Sequence, residues 1–262
     1  MNILDFKNYK ASGKKISMVT CYDNWSAKIL NETPVDCILV GDSLAMVMHG
    51  YETTLNATMN LMEIHTQAVT KGAPNKFVVA DMPFLSFRKG IINGVRDAGK
   101  LMQAGASAVK IEGAKGNLDL IKHLVESGIP VMGHLGLTPQ SIHALGGFRV
   151  QGKTNSEYKQ IIEDSLSLEK AGCFSLVLEC VPANLAAEIT KTIRIPTIGI
   201  GAGLEVDGQV LVLQDLLGMN DSFNPKFLRK FLDGKKLIQD AITDFHNEVS
   251  EKTFPTEKES YL

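Results

Sequence analysis

Short apolar, β-branched runs recur along this chain with room for one helix between each pair, and that alternation limits the fold more than any other feature. Strands are expected at ISMVTCY (16–22), DCILVGDS (36–43), KFVVADMP (76–83), SAVKIEG (107–113), PVMGHLG (130–136), FSLVLEC (174–180), PTIGIGAG (196–203) and QVLVLQD (209–215), eight in all. Between them, 58–71, 93–104, 117–127, 155–171 and 183–191 carry apolar residues at helical spacing and charged or amide residues elsewhere. Two architectures satisfy this order, a closed (β/α)8 TIM barrel and an open doubly wound sheet. A length of 262 residues, eight strands and no Pro/Ser-rich linker favour the barrel, read as a single catalytic domain over 1–262. Beyond the eighth strand, 223–252 predicts one or two helices, a C-terminal helical extension that ends in the polar tail TFPTEKESYL.

Charge removes several classes of partner. With 27 basic against 29 acidic residues and a net charge of -2, nothing favours nucleic acid or an anionic membrane. No segment approaches the ~18 uninterrupted apolar residues of a membrane span. The start, MNILDFKNYKASGKK, scatters its charges and lacks an apolar run before a small-residue cleavage site, so a cytoplasmic protein is expected. Cys21, Cys37, Cys173 and Cys180 form no C-x-x-C pair and read as small buried residues.

The chemistry concentrates where the strands end. Asp42 and Ser43 close the second strand, Asp81 the third, Lys110 and Glu112 the fourth, His134 lies in the fifth, and Glu179 closes the sixth. In a parallel α/β fold these ends share one face, so groups distant in sequence converge. Lys110 and Glu112, two apart, point to the same side of their strand, which in a barrel is the interior. Buried charge there requires compensation by the pair itself, by a metal or by a charged ligand. Carboxylates without thiolates or a His-x-x-x-His pair suit a hard divalent ion, Mg2+ before Mn2+, held by few protein ligands.

Other signals are weaker. No G-x-S-x-G elbow, phosphate loop or H-E-x-x-H occurs. GIGAG (199–203) lacks the third glycine of a dinucleotide fingerprint and reads as a tight turn or as a place where a ligand nears the backbone. His49, His65, His123, His143 and His246 fall in expected loops or helices, which leaves His134 as the histidine placed to line a site. Met46, Met48, Met59 and Met62 read as core fillers.

In this order, ILVGDSLAMVMHG, ADMPF, VKIEG, GHLGLTPQSIHALGGFRVQG, LVLECVP and IGIGAG closely resemble the ketopantoate (3-methyl-2-oxobutanoate) hydroxymethyltransferase family, and the likeness runs from MVTCYD to FPTEKESYL. The resemblance implies a (β/α)8 barrel that moves a one-carbon unit from 5,10-methylenetetrahydrofolate to 3-methyl-2-oxobutanoate. The product is 2-dehydropantoate, for pantothenate and coenzyme A synthesis. It further implies a cytoplasmic homo-oligomer, typically a decamer. Carried over by motif, the metal ligands fall on Asp42, Asp81 and Glu112, the keto-acid contacts on Asp42, Ser43, Asp81 and Lys110, and the proton acceptor on Glu179. Ala45, Asn56, Leu85 and the turn Glu32-Thr33-Pro34 depart from the family's usual residues, and Ala45 and Leu85 lie near the expected site. The residues alone also admit a lyase or mutase of a 2-oxo or phosphoenol acid, or a non-catalytic barrel that binds metal and keto acid.

Overall fold

A computed structural model describes residues 1–221 and 223–261. Eight parallel strands, β1 (Ile16–Thr20), β2 (Cys37–Val40), β3 (Phe77–Asp81), β4 (Ala108–Glu112), β5 (Val131–Gly136), β6 (Ser175–Glu179), β7 (Thr197–Ile200) and β8 (Gly208–Leu211), pair in sequence order, and β8 closes on β1. The expected barrel is therefore the fold, and the open sheet is not. All eight expected strands are present but shorter. Asp42 and Ser43 lie past the end of β2, Ser43 with helical dihedrals (φ -54, ψ -14), and the eighth run ends at Leu211 before turning helical.

The helices are α1 (Ile3–Ser12), α2 (Asn24–Asn31), α3 (Leu44–Val47), α4 (Met59–Gly72), α5 (Ile91–Gln103), α6 (Leu118–Glu126), α7 (Ile142–Leu145), α8 (Asn155–Ala171), α9 (Ala183–Thr192), α10 (Leu213–Leu216) and α11 (Gly234–Glu251). Residues Met1–Leu211, which hold the whole barrel, form one compact unit, and Val212–Leu262, with α10 and α11, form a second. Among the described residues no helix is long and apolar enough to cross a membrane.

Period-two alternation builds the core and the site from the same strands. Phe77 and Val79 on β3, Ala108 on β4, Met132 on β5 and Val177 on β6 belong to one buried cluster with Ile16, Met18, Cys37, Leu39, Ile198 and Val210. Two residues further along the same inward faces stand Asp81, Lys110, His134 and Glu179, and Glu112 follows Lys110. The apolar half fills the barrel and the polar half lines its carboxyl-terminal mouth.

The amino-terminal segment, not foreseen as a helix, closes the apolar end. Asn2 accepts from the Leu4 and Asp5 amides at 2.8 and 3.3 Å while Asp5 accepts from the Asn2 amide at 2.7 Å, a capping box that starts α1. Gly13, at φ 72, ends it. Its fully buried Phe6 packs edge-on against Phe77 and Phe174, with ring centres 5.3 and 5.0 Å away. An ion pair of 2.8 Å between Lys10 and Asp207 ties the helix to the chain before β8.

Candidate active site

Register sets the first contacts. Asp81 on β3 is opposite Lys110 on β4, and Lys110 Nζ lies 3.0 Å from Asp81 Oδ1. Glu112 is opposite His134 on β5, with His134 Nδ1 3.3 Å from Glu112 Oε1. Diagonally across to β6, His134 Nε2 stands 3.2 Å from Glu179 Oε2, an ionic contact without hydrogen-bond alignment. Lys110 Nζ is 3.3 Å from His134 Nδ1. Lys110 and Glu112 thus share a face without being each other's partner: Asp81 compensates the lysine and His134 the glutamate.

Asp42 and Ser43 enter from the turn after β2. The Asp42 amide donates to Asp81 Oδ2 at 3.0 Å. Gly41 permits this approach, since a Cβ there would meet Ser43 Oγ at 2.9 Å and Asp81 Oδ2 at 3.6 Å. Ser43 Oγ is 2.7 Å from the hydroxyl of fully buried Tyr22, whose pKa burial raises, so the phenol stays neutral. All six residues assigned by the resemblance are therefore brought to one mouth: Asp42, Ser43, Asp81, Lys110, Glu112 and Glu179.

Gln140, which sequence reasoning did not single out, joins the two sides. From the short turn Pro139–Ser141 its Nε2 donates to Asp42 Oδ2 at 2.8 Å and to the Met82 carbonyl at 2.9 Å, and its amide N–H donates to Glu112 Oε2 at 3.1 Å. Tyr22 was also missed. A neutral amide in a turn and a tyrosine after a strand carry no spacing signal; only the placement of TPQ just after the His134 strand pointed this way.

Burial makes the site electrostatically tense. Asp42, Asp81, Lys110, Glu112 and His134 are 4, 3, 5, 5 and 2% exposed. Burial, then the charges of Asp81 and Glu112, raise the Asp42 carboxyl well above its usual range despite Lys110 and Gln140. Burial also raises Asp81, against the opposing pull of Lys110. Burial would lower Lys110, but Asp81, Glu112 and Asp42 outweigh it and raise its pKa, so its ammonium is retained. For His134, burial and Lys110 act downward while contacts with Glu112 and Glu179 prevail, raising it to about 9.

The mouth fits a cation in its donor chemistry. Three carboxylates crowd together away from water, and their mutual repulsion is visible in Asp42. Among the described residues no three His, Cys, Asp or Glu side chains form a ready-made metal cage. Hard oxygen donors with few direct protein ligands suit Mg2+, which keeps much of its shell for water and substrate.

Other expectations resolve simply. Gly201 and Gly203 take positive φ of 63 and 85, and a Cβ on Gly199 or Gly203 would strike Val206 or Ala183, so GIGAG serves a tight, packed turn. The four cysteines are free, and Cys180 alone is half-buried. His65 bonds the Tyr22 carbonyl and His49, outside the mouth cluster.

A family model for ketopantoate hydroxymethyltransferase matches residues 1–257. The chain belongs to that family. It is 58% identical over 259 residues to the 3-methyl-2-oxobutanoate hydroxymethyltransferase of Bdellovibrio bacteriovorus, covering 99% of this chain and 98% of the relative. It is 59% identical over 256 residues to the enzyme of the same name from Coxiella burnetii, covering 97% and 96%. Its activity is accordingly hydroxymethyl transfer to 3-methyl-2-oxobutanoate. Among solved structures, 2,3-dimethylmalate lyase, of the PEP mutase/isocitrate lyase superfamily, superposes with a TM-score of 0.59 at 15% identity, over 80% of each chain, a likeness of fold.

Proposed function

We propose that the enzyme takes its one-carbon unit from 5,10-methylenetetrahydrofolate and makes 2-dehydropantoate by removing the C3 proton of 3-methyl-2-oxobutanoate with Glu179. The observation that carries this reading is the half-buried Glu179, held beside His134 at the edge of a buried, carboxylate-rich mouth. Asp42, Ser43, Asp81 and Lys110 bind the keto acid, with the retained Lys110 ammonium facing its anionic end. Asp42, Asp81 and Glu112 would hold a Mg2+ ion, which would supply Lewis-acid polarisation of the keto group.

Glu179, 21% exposed at its side chain, remains reachable by a substrate C–H, unlike the deeper carboxylates. It accepts the C3 proton, and the electron pair left on C3 forms the new carbon–carbon bond to the donor's methylene carbon. Overall, both methylene–nitrogen bonds of the donor break, water supplies the hydroxyl of the product, and the second water proton and the proton that Glu179 took from C3 go to the two nitrogens released as tetrahydrofolate. His134 holds the Glu179 carboxylate in place, and Gln140 fixes Asp42 and Glu112.

The same reading gives a cytoplasmic homo-oligomer, in the family's decameric form, that serves pantothenate and coenzyme A synthesis. Leu237, Ile238, Ile242, Phe245 and Val249, exposed along α11, supply apolar surface for association. Incubation of the protein with Mg2+ and 3-methyl-2-oxobutanoate, with and without 5,10-methylenetetrahydrofolate, tests the chemistry. 2-Dehydropantoate forms only when the folate is present; its formation from free formaldehyde alone at an equal rate contradicts the donor assignment.

A further inference from the structure

The inward face of β1 ends differently from that of β3. Ile16 and Met18 belong to the apolar core, as Phe77 and Val79 do, but where β3 continues to Asp81, β1 continues to Thr20 and, just past its end, Tyr22. Thr20 is 3% exposed and Tyr22 fully buried, so two uncharged hydroxyls stand beside the turn that carries Asp42 and Ser43. Tyr22 is held along its whole length. Its carbonyl accepts from His65 Nδ1 on α4, and the amide before it, that of Cys21, donates to the Leu39 carbonyl at 2.9 Å. Its hydroxyl lies 2.7 Å from Ser43 Oγ and also hydrogen-bonds the Thr20 side chain.

Ser43 supplies a second, independent observation. A serine at the start of a helix ordinarily turns its oxygen to a backbone amide of the first turn, from extended dihedrals. Ser43 precedes α3, yet it has helical dihedrals and makes no such side-chain cap. Its hydroxyl meets Tyr22 instead and lies over Gly41, where a Cβ would crowd it at 2.9 Å. The helix gains nothing from that orientation, whereas a ligand in the mouth would.

The direction of the protons follows from the chemistry of hydroxyls. Burial, helped by the charges of Asp81 and Asp42 and opposed by Ser43 and Thr20, keeps the phenol protonated. A hydroxyl gives one proton and accepts through two lone pairs. If Ser43 gives its proton to an anionic ligand, its Oγ must accept from Tyr22, which in turn accepts from Thr20. Such a one-way chain strengthens its last donor.

We propose that Tyr22 is the positioning residue for Ser43: its O–H donates to Ser43 Oγ and leaves the Ser43 proton aimed at an oxygen of the keto acid. Tyr22 acts through Ser43 and is not itself a catalytic residue. The proposal rests on the reading of Ser43 as a keto-acid contact given above.

Calorimetric titration with 3-methyl-2-oxobutanoate in Mg2+, without folate, compares the wild type, Ser43→Ala, Tyr22→Phe and the double variant. Thr20→Val, of unchanged shape, probes the same chain one hydroxyl further back. Phenylalanine fills the space of tyrosine, and melting temperatures check that each variant is folded. The Kd is expected to rise about tenfold in Ser43→Ala, about fivefold in Tyr22→Phe and about twofold to threefold in Thr20→Val. The double variant should stay within about twofold of Ser43→Ala, because Tyr22 has nothing left to position. In steady-state kinetics the Tyr22→Phe loss in kcat/KM should fall mainly on KM. Unchanged affinity in the folded Tyr22→Phe and Thr20→Val proteins, or a Tyr22→Phe loss as large in the Ser43→Ala background as in the wild type, overturns the positioning role. Unchanged affinity in Ser43→Ala overturns the Ser43 contact itself.

Discussion

His134 Nε2 lies 3.2 Å from Glu179 Oε2, and the same ring reaches Glu112 Oε1 through Nδ1 at 3.3 Å. One buried imidazole thus spans the carboxylate assigned to proton transfer and a carboxylate assigned to the metal. His134→Asn removes that span without a large change of volume. We expect kcat to fall about tenfold to a hundredfold, with a smaller change in the keto-acid Kd. Steady-state kinetics beside calorimetric binding separates the two effects.

Lys110 and Asp81 form a buried pair, their side chains 5 and 4% exposed. Lys110→Met leaves Asp81, with its raised pKa, among carboxylates and without its cation. Breaking one side of such a pair costs about 3–5 kcal/mol, which urea denaturation at neutral pH in the absence of added metal would record. Loss of keto-acid binding should accompany it.

Asp81→Asn tests the cation directly. Wild-type activity should vanish under exhaustive chelation and return with added Mg2+, and the variant should need at least about tenfold more Mg2+ for half-maximal rate. Full turnover by thoroughly chelated wild type would remove the metal from the mechanism.

At the other end of the barrel, Phe6→Ala opens a void between Phe77 and Phe174. A loss of about 3–5 kcal/mol in unfolding free energy is expected, with KM for the keto acid unchanged, because the polar mouth lies beyond the apolar layer. Thermal denaturation and kinetics on the same preparation measure both.

The positions of these residues explain what could be read before the fold was known. Val79 and Asp81, or Ala108 and Lys110, follow the strand period, so their convergence on one inner face was legible once eight strands were counted. The pairing of Lys110 with Asp81 was not, because it depends on the β3–β4 register, which alternation along a single strand does not specify. Gln140 and Tyr22 act from turns, where no periodicity marks a functional side chain. Helix α1 escaped notice because it is short and buries little beyond Phe6, although Asn2 and Asp5 already had the spacing of a capping box.

Glu179 as the base is the central claim, and solvent exchange at C3 measures it without the folate. In deuterium oxide with Mg2+, wild-type enzyme should wash deuterium into C3 of 3-methyl-2-oxobutanoate, as followed by proton NMR. Glu179→Gln, nearly the same size, should retain keto-acid binding and lose that exchange by a factor of about 100 or more. Exchange at the wild-type rate in a folded, ligand-binding Glu179→Gln would contradict the account.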